Sequence, residues 1–347
     1  MAFDDTSTSP SIGIDPLPGS DKRASARSRT AYSIVVPVYR NEATLAALVE
    51  RLEGLADEIK EELGERLEVV FVVDGSPDGS FVLLKRLLSE ERQFSSQLIA
   101  LARNFGSFSA IRAGLAVAEG DFLAVMTADL QEPVSLARDF FRGLASGDYD
   151  IAIGVRTARD DPAGDMLAAR IFWWLFRRLV QPEIPPGGVD VFGCTRKVAS
   201  QLLRMEEAHT SLIGLIYWLG YRRLEVPYVR LPRQVGASGW GFWRKVRYLL
   251  DSIFSFTDLP ITAIIVLGVF GVAVSAIWSI VVIAAWSAGK INVPGYTPLL
   301  LAIFFVTSMI LIALGLVGSY VWRTYENSKG RPSAVPMMHE RFDVDES

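Results

Sequence analysis

A parallel α/β domain joined to a small membrane unit is the architecture the sequence predicts, and three observations predict it. Between residues 33 and 192, short runs of Val, Ile, Leu and Phe alternate with stretches whose leucines recur at helical spacing. That is the pattern of strands and crossover helices in a parallel sheet. Two later stretches, 259–289 and 291–322, contain no charged residue, and each exceeds the roughly 20 residues that cross a bilayer. The chain has 347 residues, of which 50% are hydrophobic and 21% charged, so the apolar excess is local. A disordered, collagen-like or purely soluble chain does not fit.

The elements follow in order. Residues 1–30 are rich in Ser, Thr, Pro, Asp and Gly and end with basic Lys22, Arg23, Arg27 and Arg29. No apolar run of a signal peptide follows, so a disordered tail is expected. The run 33–38, with Ile34, Val35 and Val36, predicts a buried strand, and Leu45, Leu48, Leu52 and Leu55 predict a helix over 42–63. The same reading gives strands at 67–73, 97–102 and 121–126, helices at 81–88 and 109–118, and a helix from Pro133. Further strands are expected at 150–154 and 189–192. Segments 166–180 and 240–256 mix Trp and Phe with Arg and Lys, which suits helices lying at the lipid headgroups.

Membrane spans are expected at 260–286 and 297–322. Arg244, Lys245 and Arg247 precede them, Arg323, Lys329 and Arg331 follow, and Lys290 alone lies between. The positive-inside rule then puts both termini and the α/β domain in the cytoplasm. The expected organisation is a tail over 1–30, a catalytic domain over 31–238, a juxtamembrane helix over 239–258, a membrane hairpin over 259–323 and a cytoplasmic tail over 324–347. The amphipathic helices, with Gly268, Gly271, Gly315 and Gly318 in the spans, are compatible with a homo-oligomer.

Composition narrows the chemistry. With Lys plus Arg 35 against Asp plus Glu 39, the net charge is −4, which gives no footprint for nucleic acid. One cysteine, Cys194, excludes a disulfide framework and a cysteine-based zinc site, and two histidines, His209 and His339, supply a triad poorly. Ligands of α/β sheets bind outside the carboxyl ends of the strands. There the sequence places Pro37-Val-Tyr39-Arg-Asn-Glu42, Asp74-Gly-Ser-Pro-Asp78 and Thr127-Ala-Asp129-Leu-Gln131-Glu-Pro133. Asp74 can accept hydrogen bonds from a base or ribose hydroxyl. Asp129 and Gln131 offer hard oxygens to Mg²⁺ or Mn²⁺ on a diphosphate.

These loops, with Arg103-Asn-Phe-Gly106, Gly154-Val-Arg156 and Gly236-Ala-Ser238, resemble the family 2 glycosyltransferases of GT-A fold. Within them the chain is similar to polyprenyl-phosphate glycosyltransferases, of the dolichol-phosphate mannose synthase and bacterial GtrB kinds. The resemblance spans about 32–258, and the paired spans match the GtrB kind. It implies inverting transfer of a sugar from a nucleotide diphosphate, UDP favoured over GDP, to a polyprenyl phosphate at the cytoplasmic face of the inner membrane. Pro37, Tyr39, Glu42, Asp74 and Asp129 would hold the nucleotide, Asp129 and Gln131 a divalent metal, and Arg156 and Arg170 the acceptor phosphate. Asp129, Arg156 and Arg170 form the implied catalytic set. The chain departs from the family pattern at Val73 and Thr127, where Asp is usual, and at Gly239, where Lys is usual. Two other classes stay open at this point: transfer to a hydroxyl acceptor, and a non-catalytic nucleotide-sugar-binding membrane protein.

Overall fold

A computed structural model describes residues 31–158, 174, 176–178, 180–185, 188–205, 207, 210–231, 242–257, 259–288 and 296–344. The predicted tail over 1–30, Arg170, His209 and the Gly236–Ser238 motif lie outside the described residues. So does most of the predicted helix over 166–180.

The first half is built as strand–helix pairs. Strand β1 (Tyr32–Val38) leads to helix α1 (Glu42–Leu63), β2 (Leu67–Val73) to α2 (Ser80–Leu88), β3 (Ser95–Leu101) to α3 (Ser107–Val117), and β4 (Phe122–Val125) to α4 (Ser135–Ala145). Strands β5 (Ile151–Ala158) and β6 (Phe192–Thr195) follow, then helices α5 (Arg196–Arg204) and α6 (Leu212–Trp218) and strand β7 (Arg223–Val229). The leucines that predicted α1 face inward: Leu45, Leu48, Leu52 and Leu55 are all buried against the sheet, each side chain worth about 1.5–3 kcal/mol over its exposed state. On the other face α3 packs close enough that a Cβ on Gly114 would lie 2.3 Å from Val35 Cγ1. Arg112 of α3 donates to the carbonyls of Leu202 and Leu203 at 2.8 and 2.7 Å, tying α3 to the end of α5.

The sheet has eight strands in the order β7-β5-β6-β4-β1-β2-β3-β8. It is mixed, which corrects the expectation of a parallel sheet. Strand β6 runs antiparallel between β4 and β5, and β8 (Pro336–Phe342) runs antiparallel along β3. Hydrophobic runs report burial and not direction, so neither reversal has a sequence signature. One consequence matters for the site: the amino end of β6 lies at the same edge as the carboxyl ends of β4, β5 and β7.

Strand β8 falls in the segment taken from sequence as a tail. Its Met337 and Met338 are exposed, and a polar network holds it beside the backbone ladder to β3. His339 Nε2 lies 2.7 Å from Gln97 Oε1, and Gln97 Nε2 donates to Glu68 Oε1 at 2.6 Å and to the Val117 carbonyl. Because the Gln97 amide nitrogen is already donating, its oxygen accepts, so the histidine nitrogen carries the proton. Lys85 pairs with Glu340 at 2.6 Å, and Arg341 with Glu119 at 2.5 Å.

Among the described residues, three helices lie between β7 and β8: α7 (Phe242–Phe256), α8 (Leu259–Ser287) and α9 (Tyr296–Ser328). Within α9, Phe305–Ser328 is long and apolar enough to cross a membrane and none of it is buried. Tyr248–Phe256 and Leu259–Gly271 meet at a bend of 78°. Side chains such as Val266, Phe270, Ile277, Leu311 and Val317 are exposed along α8 and α9. Helix α7 is moored to the domain and to α9: Tyr248 stacks on buried Phe176 and hydrogen-bonds Ser211, and Asp251 pairs with Arg323 at 2.7 Å. In the same segment as Phe176, Trp174, Arg177 and Arg178 are exposed.

Candidate active site

The loops after β1, β2, β3 and β4 meet at one edge and are laced to one another before any ligand arrives. Asp74, first after β2, is almost fully buried, and its two carboxylate oxygens accept the backbone N–H groups of Phe105 and Gly106 at 2.7 and 2.8 Å. Burial pushes its pKa above the ordinary carboxylate value, and those N–H groups and Arg103 pull back only part of the way. Gly75 follows with φ +56°, and a Cβ there would lie 2.3 Å from the Arg103 carbonyl carbon. Only glycine fits this crossing of the two loops.

The first two loops are joined next. Arg40 N–H donates to Ser76 Oγ at 2.8 Å, and Ser76 Oγ donates to Asp78 Oδ1 at 2.6 Å. Glu42 accepts from Gly79 N–H at 2.8 Å while its own N–H reaches Asp78. Arg40 has φ +58° and Leu130 φ +60°, two strained residues in neighbouring loops of the candidate site. Burial raises the Asp78 pKa, but hydrogen bonds from Ser76, Ser80 and the Glu42 N–H outweigh it and hold the group low. Thr44 of α1 donates to the Ala128 carbonyl at 2.7 Å and anchors the Asp129 loop.

The predicted nucleotide residues therefore divide by environment. Pro37 is half-buried next to the end of β1, Tyr39 is exposed on the surface, and Asp74 is locked below them. Glu42 already spends one oxygen on the Gly79 N–H, so its visible role is to hold the loops together.

The second half of the site lies at β4, β5 and β7. Thr127 Oγ1 donates to Asp129 Oδ1 at 2.8 Å and also contacts Glu132 Oε2. Gln131 is fastened to the end of β7 three times: Arg230 Nη2 reaches its Oε1 at 2.6 Å, its Nε2 donates to the Leu231 carbonyl at 3.4 Å, and its carbonyl accepts the Leu231 N–H at 2.8 Å. Arg156, nearly buried, pairs with Asp190 and lies 3.4 Å from Tyr228 Oη. Glu132 is buried beside Thr127 and Arg230. Burial raises its pKa, the Thr127 hydrogen bond lowers it, Asp129 raises it, and Arg230 and Arg156 lower it, with a net rise.

Arg156 and Asp129, widely separated in sequence, are thus both brought to this cluster. Asp190, Glu132, Tyr228 and Arg230 belong to it and were assigned no role from sequence. Asp190 reaches this edge only because β6 is antiparallel, and Arg230 follows a strand with no hydrophobic run. Glu132 alone was visible, inside the 129–133 motif. Among the described residues no three of His, Cys, Asp and Glu converge on one metal position. Asp129 and Glu132 are nonetheless hard oxygen donors about one hydroxyl, and Glu132 Oε1 has no hydrogen-bond partner. Together with diphosphate and water oxygens, such a set fits Mg²⁺ or Mn²⁺.

An α/β sheet with acidic loops and arginines at one edge, followed by apolar helices, matches known proteins. The sequence model of glycosyl transferase family 2 matches residues 33–200. The Synechocystis glycosyltransferase sll0501 is 33% identical over 301 residues, covering 86% of this chain and 92% of that one. The Bacillus subtilis protein CsbB is 30% identical, covering 86% and 89%. A bactoprenol glucosyl transferase of Shigella phage SfV is 27% identical, covering 87% and 97%. The chain belongs to the family 2 glycosyltransferases. Its catalytic domain has the GT-A fold with a mixed sheet, and it is a transferase.

Proposed function

We propose that the protein transfers a sugar from a nucleotide diphosphate to a polyprenyl phosphate at the cytoplasmic face of a membrane. The observation that carries the reading is the arginine–carboxylate cluster beside the Asp129 loop, which among the described residues holds no histidine. A phosphate acceptor is already an oxyanion at neutral pH and needs no strong base, whereas a hydroxyl acceptor does. Similarity to bactoprenol glucosyl transferases over nearly their whole length favours the same acceptor class.

The chain's own groups divide the work. Asp74 accepts from the nucleoside, and Tyr39 and Pro37 border it. Asp129 is the carboxylate for Mg²⁺ or Mn²⁺, and such a cation would stabilise the departing diphosphate. Gln131 fixes the loop through Arg230. Arg156 orients the acceptor phosphate, and Arg170 is assigned the same task. The acceptor oxygen forms its bond to the anomeric carbon as the bond to the diphosphate breaks, with inversion. UDP is the favoured nucleotide. Incubating the purified protein with a panel of UDP- and GDP-sugars and polyprenyl phosphate should give sugar in the organic phase for at least one UDP-sugar. Transfer from GDP-sugars alone would overturn the UDP assignment, and no transfer from any donor would overturn the reaction.

Helices α8 and α9 are read as a membrane hairpin with the domain and both termini on the cytoplasmic side. Strands of one sheet precede and follow the pair, so the number of crossings between them is even, which supports the hairpin. Cysteines placed at residues 292 and 331 should label from opposite sides, 292 from outside. Labelling of both from the same side would sink the topology.

A further inference from the structure

Thr127 carries one hydroxyl proton, and two carboxylates face it. Asp129 Oδ1 is 2.8 Å away, and Glu132 Oε2 is in contact on the other side. One proton cannot serve both acceptors fully. Glu132 is buried, with side-chain exposure of 1%, and its second oxygen, Oε1, makes no hydrogen bond. The nearest cation to that oxygen is Arg230 Nε at 4.0 Å, beyond hydrogen-bond range, and that nitrogen is itself without a partner. A buried carboxylate left in this state is costly unless something else neutralises it.

Gln131 is differently placed. Its side-chain oxygen accepts from Arg230 and its amide nitrogen reaches Leu231. The residue after it, Glu132, is the one that sets a second carboxylate near Asp129.

We propose that Glu132 is the second carboxylate of a divalent-cation site with Asp129, and that Gln131 serves as the staple holding both on one rigid loop. The proposal rests on the reading of Asp129 as the residue for the cation. The cation would draw the two carboxylates together and leave the Thr127 proton with one acceptor. The site takes Mg²⁺ or Mn²⁺ with a nucleoside diphosphate, whose oxygens complete a shell of hard ligands. It also accounts for a loop with threonine at 127: the charge absent there is supplied five residues later in sequence, from behind the hydroxyl.

The test is Mn²⁺ binding, read by electron paramagnetic resonance, on full-length protein in detergent with saturating UDP. Wild type is expected to bind Mn²⁺. Glu132→Gln should weaken binding by at least the roughly 10- to 100-fold that loss of outer-sphere partners costs a metal site, and Asp129→Asn should do the same. The double variant T127D/E132Q puts a carboxylate at position 127 in place of the hydroxyl and should recover most of the affinity, which would not return if Glu132 only held the loop in shape. Equal Mn²⁺ affinity of wild type and E132Q would overturn the proposal while leaving Asp129 in place. Weak binding by E132Q with no recovery in T127D/E132Q, both folded by thermal melt, would also overturn it. Absence of Mn²⁺ binding by wild type with UDP would instead remove the cation from the proposed function altogether.

Discussion

Asp129→Asn is expected to lower sugar transfer by on the order of 10²-fold or more. The substitution keeps the shape of the side chain and an oxygen to accept from Thr127, so the loop should stay in place. What it removes is the negative charge at the position where a cation and a departing diphosphate would meet. The loop is held independently, by Thr44 on the Ala128 carbonyl and by the three contacts of Gln131 with Arg230 and Leu231. A thermal midpoint close to wild type, with transfer lost at saturating donor, is the expected pair of results. Full transfer by the variant in the presence of excess chelator would remove Asp129 from the chemistry.

Arg156→Ala is expected to lower transfer at limiting acceptor by about 10- to 100-fold, the equivalent of the roughly 1.5–3 kcal/mol of a hydrogen bond to a charged group. The guanidinium lies between Asp190 and Tyr228 and is almost wholly buried. It is therefore pre-oriented, and a phosphate would share its N–H groups with Asp190. Arg156→Lys keeps the charge without the fork and should lose less. The loss should appear in the dependence on polyprenyl phosphate, with affinity for nucleotide alone little changed in calorimetry, because Asp74 and its loops sit at the other half of the site. If Arg156→Ala abolished nucleotide binding and left acceptor dependence unchanged, Arg156 would belong to the donor side.

How far the sequence reached depended on what kind of physics wrote each feature. Helix α1 and strand β2 were legible to the residue, because continuous burial leaves a periodic apolar trace. The loops after β1, β2 and β4 were legible because polar residues there interrupt that trace at the edge where sheets bind ligands. Strand β7, with alternating half-exposed residues such as Glu225 and Arg223, left no such trace, and so Arg230 at its end was missed. Strand β8 joins the sheet through Gln97, Lys85 and Glu119. Contacts of that kind depend on partners more than 200 residues away, and no local window contains them. Direction is likewise a property of the whole sheet, which is why Asp190 emerged only once β6 was seen to run backwards. Glu42 shows a limit of another kind: its motif was plain, but its contact with the Gly79 N–H of another loop was not.

The central claim is that the acceptor's own phosphate is the nucleophile. The measurement that tests it most directly is transfer by the purified full-length protein to polyprenyl phosphate and to polyprenol of the same chain length, in nanodiscs with one nucleotide sugar. Transfer confined to the phosphate, giving a lipid-linked sugar released by mild acid, is the predicted result. Equal transfer to the alcohol, giving an acid-stable glycoside, would contradict it.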